Sequence, residues 1–189
     1  MSRGRKIIVA ITGASGSIYA KRLLEYLQQI PEQYECVDLV FSKNAKEVWR
    51  HELGGDTYAE FSFKEYEPND FYAPFASGSA GYDTMIVCPS SMGTLGRIAN
   101  GISNDLITRA ADVLLKEGKQ LVLVPRETPF NLIHLRNMTQ LAEAGAVIIP
   151  AIPSFYSKPE TIEQVADTVV HRILQRVGFD VDAFQWGAE

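Results

Sequence analysis

Several things are scarce or missing in this 189-residue sequence, and each absence excludes a class of protein. There are two cysteines, Cys36 and Cys88, each inside an apolar strand-like run. They form neither a disulfide framework nor a metal-ligand spacing, so a reducing cytoplasm is the expected compartment. Three histidines occur, none with a His or Cys partner at metal spacing. His134 and His171 read as structural or surface residues and His51 as solvated beside Arg50 and Glu52, so no metal is expected. No GxSxG nucleophile elbow occurs, and no Ser-His-Asp triad can be argued. Lys and Arg number 18 against 23 acidic residues, the net charge is −5, and no basic cluster appears, which argues against nucleic acid. The apolar run after Arg3, Arg5 and Lys6 is too short for a signal peptide, and no run approaches the roughly 20 residues that span a bilayer, so no membrane partner is expected. No internal repeat or low-complexity tract is visible.

Hydrophobic residues make up 46% and charged residues 22%, ordinary for a globular protein. The length suggests one domain over 1–189 with a substantial core. The organising stretch is KIIVAITGASGSIYAKRLLEYL. Residues 6–11 read as a strand buried on both faces. Gly13-Ala14-Ser15-Gly16 breaks that strand, and from Ser17 the apolar residues Ile18, Leu23, Leu24 and Leu27 recur at helical spacing. Strand, glycine turn and helix make the first half of a βαβ unit. The amides at such a helix start favour an anion, and Ser15 could add a hydroxyl donor. The turn therefore reads as a phosphate cradle, with a tight ligand-free turn as the alternative. It is neither GxGxxG nor a P-loop, and Ser42 and Lys43 stand where a dinucleotide site would place a carboxylate. A mononucleotide fits better than NAD.

Further strands are expected at 36–41, 84–88 (stopped by Pro89), 121–124 and 146–149. Helices are expected at 43–52 with Ser42 as N-cap, 94–100, 104–118 with Ser103 or Asn104 as N-cap, 132–144 and 161–177. Five strands alternating with helices predict an α/β fold: a Rossmann-like (flavodoxin-like), doubly wound parallel sheet in three αβα layers. Residues 56–82 are irregular and rich in aromatics (Phe61, Phe63, Tyr66, Phe71, Tyr72, Phe75), expected to be buried in a pocket or subunit interface, or to cap the core.

Ligands of such sheets sit beyond the carboxyl ends of the strands. The residues placed there are Ser15, Ser42, Ser91 to Thr94, Arg126 with Glu127, and Ser154 to Tyr156. Small donors, a guanidinium, a carboxylate and a phenol suit a flat, phosphate-bearing ligand plus a second anion. Arg126 and Glu127 follow the apolar run LVLV, so Glu127 is either a tunable acid/base or half of a strand-end salt bridge. Arg109 and Lys116 lie two helical turns apart, and spacing alone makes them i,i+4 ion pairs with Asp105 and Asp112. Arg172 sits among Val169, Val170 and Ile173.

The motifs TGASG (12–16), SKNA (42–45), NDFYAPFASGS (69–79), CPSSMGTL (88–95) and RAADVLLKE (109–117) occur in this order. VPRETP (124–129), HLRNM (134–138), GAVIIP (145–150) and PSFY (153–156) continue it. This sequence resembles the UbiX/Pad family, the flavin prenyltransferases formerly described as aromatic-acid decarboxylases, over nearly its whole length. The resemblance implies a metal-independent enzyme that moves a dimethylallyl group from dimethylallyl monophosphate onto reduced FMN. The prenylated FMN then serves a UbiD-type decarboxylase, and relatives assemble as dodecamers with sites between subunits. By motif, Gly13, Ala14, Ser15, Ser42, Ser91, Met92, Gly93, Thr94 and Arg126 would hold FMN. Lys116, Glu127, Tyr156 and Arg172 would surround the prenyl phosphate, with Arg109 and Ser77 nearby and Trp186 over the prenyl group. Glu127 would move a proton to the leaving phosphate, and Glu52 would assist proton loss on ring closure. Ser90 and Gly93 depart from relatives that carry cysteine and lysine there. A flavin carrier would need no second anion site, and a cysteinyl decarboxylase would show a PxMNxxMW segment and an early active-site His, both absent here.

Overall fold

A computed structural model describes residues 4–184 and 187, so Trp186 lies outside the described residues. Six parallel strands form one sheet: β1 (Lys6–Ile11), β2 (Cys36–Phe41), β3 (Lys64–Tyr66), β4 (Thr84–Ser90), β5 (Gln120–Pro125) and β6 (Val147–Ile148). Their spatial order is β3-β2-β1-β4-β5-β6. The helices are α1 (Ser17–Gln29), α2 (Ala45–Leu53), α3 (Met92–Ala99), α4 (Leu106–Lys116), α5 (Leu132–Glu143) and α6 (Ile162–Arg176). The doubly wound parallel architecture is as the alternation of apolar runs implied.

Strand side chains alternate between faces, and here both faces are covered. Ile7, Val9 and Ile11 of β1 join Leu23, Leu24 and Leu27 of α1 and Val169, Val170 and Ile173 of α6 in one core. Ile8 and Ala10 face the other way, into a core with Leu95 of α3, Leu106, Ile107 and Ala110 of α4 and Leu141 of α5. The strand order reverses between β1 and β4, so the crevice beyond their carboxyl ends is the switch point.

Several expectations are corrected. The sheet has a sixth strand, β3, whose sequence KEY carries no apolar signature and which pairs only with β2 at an edge. Strand β4 runs through Pro89 to Ser90, past a register shift between Val87 and Ser90, with Cys88–Pro89 cis. The α4 N-cap is Asp105, which accepts from the Thr108 amide at 2.8 Å in a capping box. Asp105 therefore does not pair with Arg109; Arg97 bridges it, while Arg109 meets Asp112 at 3.4 Å. Nor does Ser42 cap α2, whose N-cap is Asn44 without a side-chain bond.

The aromatic segment divides. Tyr66, Phe75 and Tyr82 pack edge to face in the second core, with centroids 5.1 and 5.4 Å apart. Phe61 and Phe63 are partly buried against the first. Phe71 and Tyr72 are not buried in the protomer, at 47% and 99% exposure.

Candidate functional site

The turn after β1 is built by its neighbours. The Thr12 hydroxyl donates to the Pro89 carbonyl at 2.7 Å and accepts from the Ser91 amide at 2.8 Å, stitching together the two strand ends at the switch point. Gly13 approaches α2 so closely that a Cβ there would lie 3.1 Å from Asn44 Cβ. Gly16, the α1 N-cap, adopts φ 116° and offers the helix no side-chain cap.

The cap comes from another helix. Glu52, in the last turn of α2, accepts from the Gly16 amide at 2.9 and 3.1 Å and from the Ser17 amide at 2.7 Å. Partial burial pushes its carboxyl up, but bonds from the Ser15 hydroxyl and the Ser17 and Gly16 amides outweigh this and hold it below the ordinary glutamate value. The anion at the α1 terminus is thus a side-chain carboxylate. A phosphate expected at those amides would meet it, which moves the candidate phosphate site away from α1.

A cavity of about 500 Å³ lies beside the turn, lined by Gly13, Ser42, Lys43, Asn44, Ser91, Gly93, Thr94, Arg97 and Asp105. Ser91 caps α3, accepting from the Thr94 amide at 3.2 Å. A Cβ on Gly93 would meet nothing within 4 Å, so the first turn of α3 is open there. Five of the residues expected to hold a phosphate-bearing ligand (Gly13, Ser42, Ser91, Gly93 and Thr94) therefore share one wall. Ala14 and Met92, next to them in the two turns, are buried.

Arg126 and Ser15 sit on the other side of the turn. The Arg126 Nε donates to the Ser15 carbonyl at 2.8 Å, and its amide to the Ser90 carbonyl at 3.3 Å. Contacts thus run from Glu52 through Ser15 to Arg126, which adjoins Glu127. Arg126 and Glu127 line a second cavity, about 240 Å³, with Thr128, Phe130 and Ile152. The Glu127 carboxylate accepts from the Thr128 amide at 3.0 Å and forms no salt bridge with Arg126. Arg172 lines a third cavity, about 440 Å³, on the outer side of α6 with Ser154, Asp167 and Phe184. Tyr156 is 68% exposed on the loop leading to α6.

Three other expected residues lie elsewhere. Lys116 ends α4, just before β5 begins at Gln120, whereas Glu127 follows the far end of β5. At about 3.3 Å per strand residue the two are separated by roughly 17 Å or more. Arg109, in the first turn of α4, donates to the Ala76 carbonyl at 3.1 Å; Ser77 stands 3.1 Å from Ser79 between their hydroxyls and lines a small cleft with Glu117 and Lys119, past the end of α4. The protomer does not bring Arg109, Lys116 and Ser77 to Glu52 and Glu127.

A family model described as Flavoprotein matches residues 1–174. Flavin prenyltransferase UbiX of Methanocaldococcus jannaschii is 47% identical over 185 residues, covering 96% of this chain and 98% of the relative. This chain belongs to the UbiX family of flavin prenyltransferases. Two solved structures agree throughout. The dodecameric FMN-dependent UbiX-like decarboxylase of Escherichia coli O157:H7 superimposes with a TM-score of 0.91 at 41% identity, over 97% of this chain and 100% of that one. AnUbiX (PadA1), solved with FMN and dimethylallyl pyrophosphate, gives 0.89 at 41% identity with the same coverage.

The chemistry of the strand-end crevice fits FMN. It offers hydroxyls, an open helix start and cations within one cavity of mononucleotide scale. Sequence reasoning did not single out Asn44, Arg97 or Asp105 as cavity-lining residues, nor Thr12 as the residue that ties the two strand ends together. Asn44 stood inside the SKNA motif, and Arg97 was legible as a cation one helical turn beyond Ser91-Met92-Gly93-Thr94. Among the described residues no three His, Cys, Asp or Glu side chains gather as a metal-ligand set, and no helix is long and apolar enough to cross a membrane.

Proposed function

We propose that this protein transfers a dimethylallyl group from dimethylallyl monophosphate to reduced FMN, without a metal. The observation that carries the proposal is the contact path Glu52–Ser15–Arg126 with Glu127 adjoining it, beside a cavity suited to the phosphate of FMN. Gly13, Ser42, Ser91, Gly93 and Thr94 would hold that phosphate, with Ala14 and Met92 supporting the turns and Ser15 and Arg126 fixing the inner edge. Reduced FMN supplies the ring nitrogen and neighbouring ring carbon to which the five-carbon unit becomes joined.

The remaining work falls to side chains. The C–O bond of the prenyl phosphate breaks with its electron pair leaving on phosphate, so negative charge grows on that oxygen. Arg172 and Tyr156 of one copy would meet it, together with Arg109, Lys116 and Ser77 of a neighbouring copy. The distance between Lys116 and Glu127 within one protomer supports a site completed by a neighbour. Glu127 would pass a proton to the departing phosphate. Glu52, kept ionised by the α1 amides, would accept the proton lost on ring closure. Trp186 belongs to the same reading as a cover for the prenyl group.

The reading includes a homo-oligomer on the dodecameric pattern, supported by exposed Leu132, Ile133, Ile152 and Phe155. It also includes delivery of prenylated FMN to a UbiD-type decarboxylase, a cytoplasmic location supported by the free thiols of Cys36 and Cys88, and no nucleic-acid or membrane partner. Glu127→Gln is the test. FMN binding should be retained while prenyl transfer is lost; unchanged turnover would remove Glu127 from proton transfer.

A further inference from the structure

Resting on the reading of the α3 cavity as the FMN phosphate site, we infer that Arg97 is a phosphate-binding residue of that cavity, held in place by Asp105. Arg97 lies in the last turn of α3 yet lines the cavity with Ser42, Ser91 and Thr94. Its Nη1 donates to Asn104 Oδ1 at 2.8 Å and to the Asp105 carboxylate, and its Nη2 to Thr94 Oγ1 at 3.3 Å. A guanidinium has five N–H donors in a rigid fork. The edge bearing Nη1 is committed to Asn104 and Asp105, which fixes the plane of the group. The other edge makes one long bond to a hydroxyl that itself lines the cavity.

Asp105 suits a supporting role because it is anchored independently. Its other carboxylate oxygen accepts from the Thr108 amide and hydroxyl, both at 2.8 Å, as the cap of α4. The cation is therefore pre-positioned by the start of one helix for work at the start of another, and an arriving phosphate need not order a free side chain. A flavin phosphate carries about −1.5 to −2 charges at neutral pH, and the hydroxyls and amides of the cavity leave that charge to be balanced. Lys43, exposed at the rim, is the other cation of the lining. Arg97 accordingly discriminates the phosphorylated flavin from its unphosphorylated form.

The experiment compares FMN with riboflavin by quenching of flavin fluorescence on titration with protein. Arg97→Gln keeps hydrogen-bonding capacity toward Asp105 and removes the charge; thermal melting checks that it folds. FMN affinity should fall by about tenfold to hundredfold, as expected for one lost charge-assisted pair, with riboflavin affinity unchanged. Arg97→Lys should recover part of the loss. An unchanged FMN preference in Arg97→Gln would overturn the inference alone, as would equal weakening of both flavins, which marks a structural role. Equal affinity of the wild-type protein for the two flavins would overturn the phosphate-site reading and this inference with it.

Discussion

Glu52 caps α1 and, in the function proposed above, accepts a proton; substituting it should separate the two. Its carboxylate satisfies the Gly16 and Ser17 amides at the start of α1, where no residue of α1 itself provides a cap. Glu52→Ala leaves two helix-start donors without that partner, and Ser17 is only 2% exposed. An unmade buried bond costs about 1–3 kcal/mol and a lost helix-terminal anion about 0.3–1 kcal/mol. Because the carboxylate itself is largely solvent-accessible, screening reduces the sum, and we expect about 1–2 kcal/mol. For a chain of this size that is a melting-temperature drop of about 2–8 °C at fixed protein concentration. Glu52→Gln keeps one carbonyl acceptor and should lose about half as much. Activity divides the duties differently. Glu52→Gln stays folded at 25 °C, yet a lost proton acceptor should slow prenyl transfer by about 10²- to 10⁴-fold. Scanning calorimetry and single-turnover assays on both variants give the two readouts. Turnover of Glu52→Gln within about threefold of wild type would refute the proton-acceptor role, and unchanged melting of Glu52→Ala would refute the cap.

Gly16→Ala should destabilise by about 1–3 kcal/mol in denaturant titration, because a Cβ at φ 116° would stand 2.9 Å from the Tyr19 ring. A neutral outcome would mean the turn relaxes freely. Acid should weaken the fold through Glu52 and Asp105. Burial raises the Asp105 carboxyl, but the Thr108 amide and the Arg97 guanidinium outweigh it, so both folded values lie below their ordinary ones. A lowered folded pKa means the unfolded state binds protons more readily. The stabilisation is therefore complete above the unfolded values near pH 4 and is lost as pH falls through the folded ones. Glu52→Gln should flatten the stability-against-pH curve in that acid range, measured by urea unfolding; an unaltered slope would contradict the assignment.

What the sequence disclosed follows from where the physical signal lies. β1 and β2 are buried on both faces, so their apolar runs mark their limits directly. β3 is three residues at an edge with two of them exposed, which leaves nothing for periodicity to register. Proline normally ends a parallel strand, but Pro89 sits where β4 and β5 shift register, and the strand continues to Ser90. Charge spacing suggested two i,i+4 pairs on α4. Asp105 was instead the helix cap, a role its position before Leu106 offered and the spacing rule obscured. The strand-end rule placed Ser42, Ser91 and Gly93 correctly around one cavity. It could not reveal that Glu52, 36 positions after Gly16, fills the amides read as a phosphate cradle, since that contact exists only once α2 packs beside α1. Lys116 and Arg109 received a site role by family motif alone, and a single protomer leaves Lys116 at the far end of α4, beside the start of β5.

The most direct test of the central proposal is a mass spectrum of the flavin after anaerobic incubation with reduced FMN and dimethylallyl monophosphate, with the diphosphate run in parallel. A flavin heavier by one five-carbon prenyl unit, formed from the monophosphate, is the result expected. Unmodified FMN in both reactions, from protein that bound it, would contradict prenyl transfer and leave a flavin carrier.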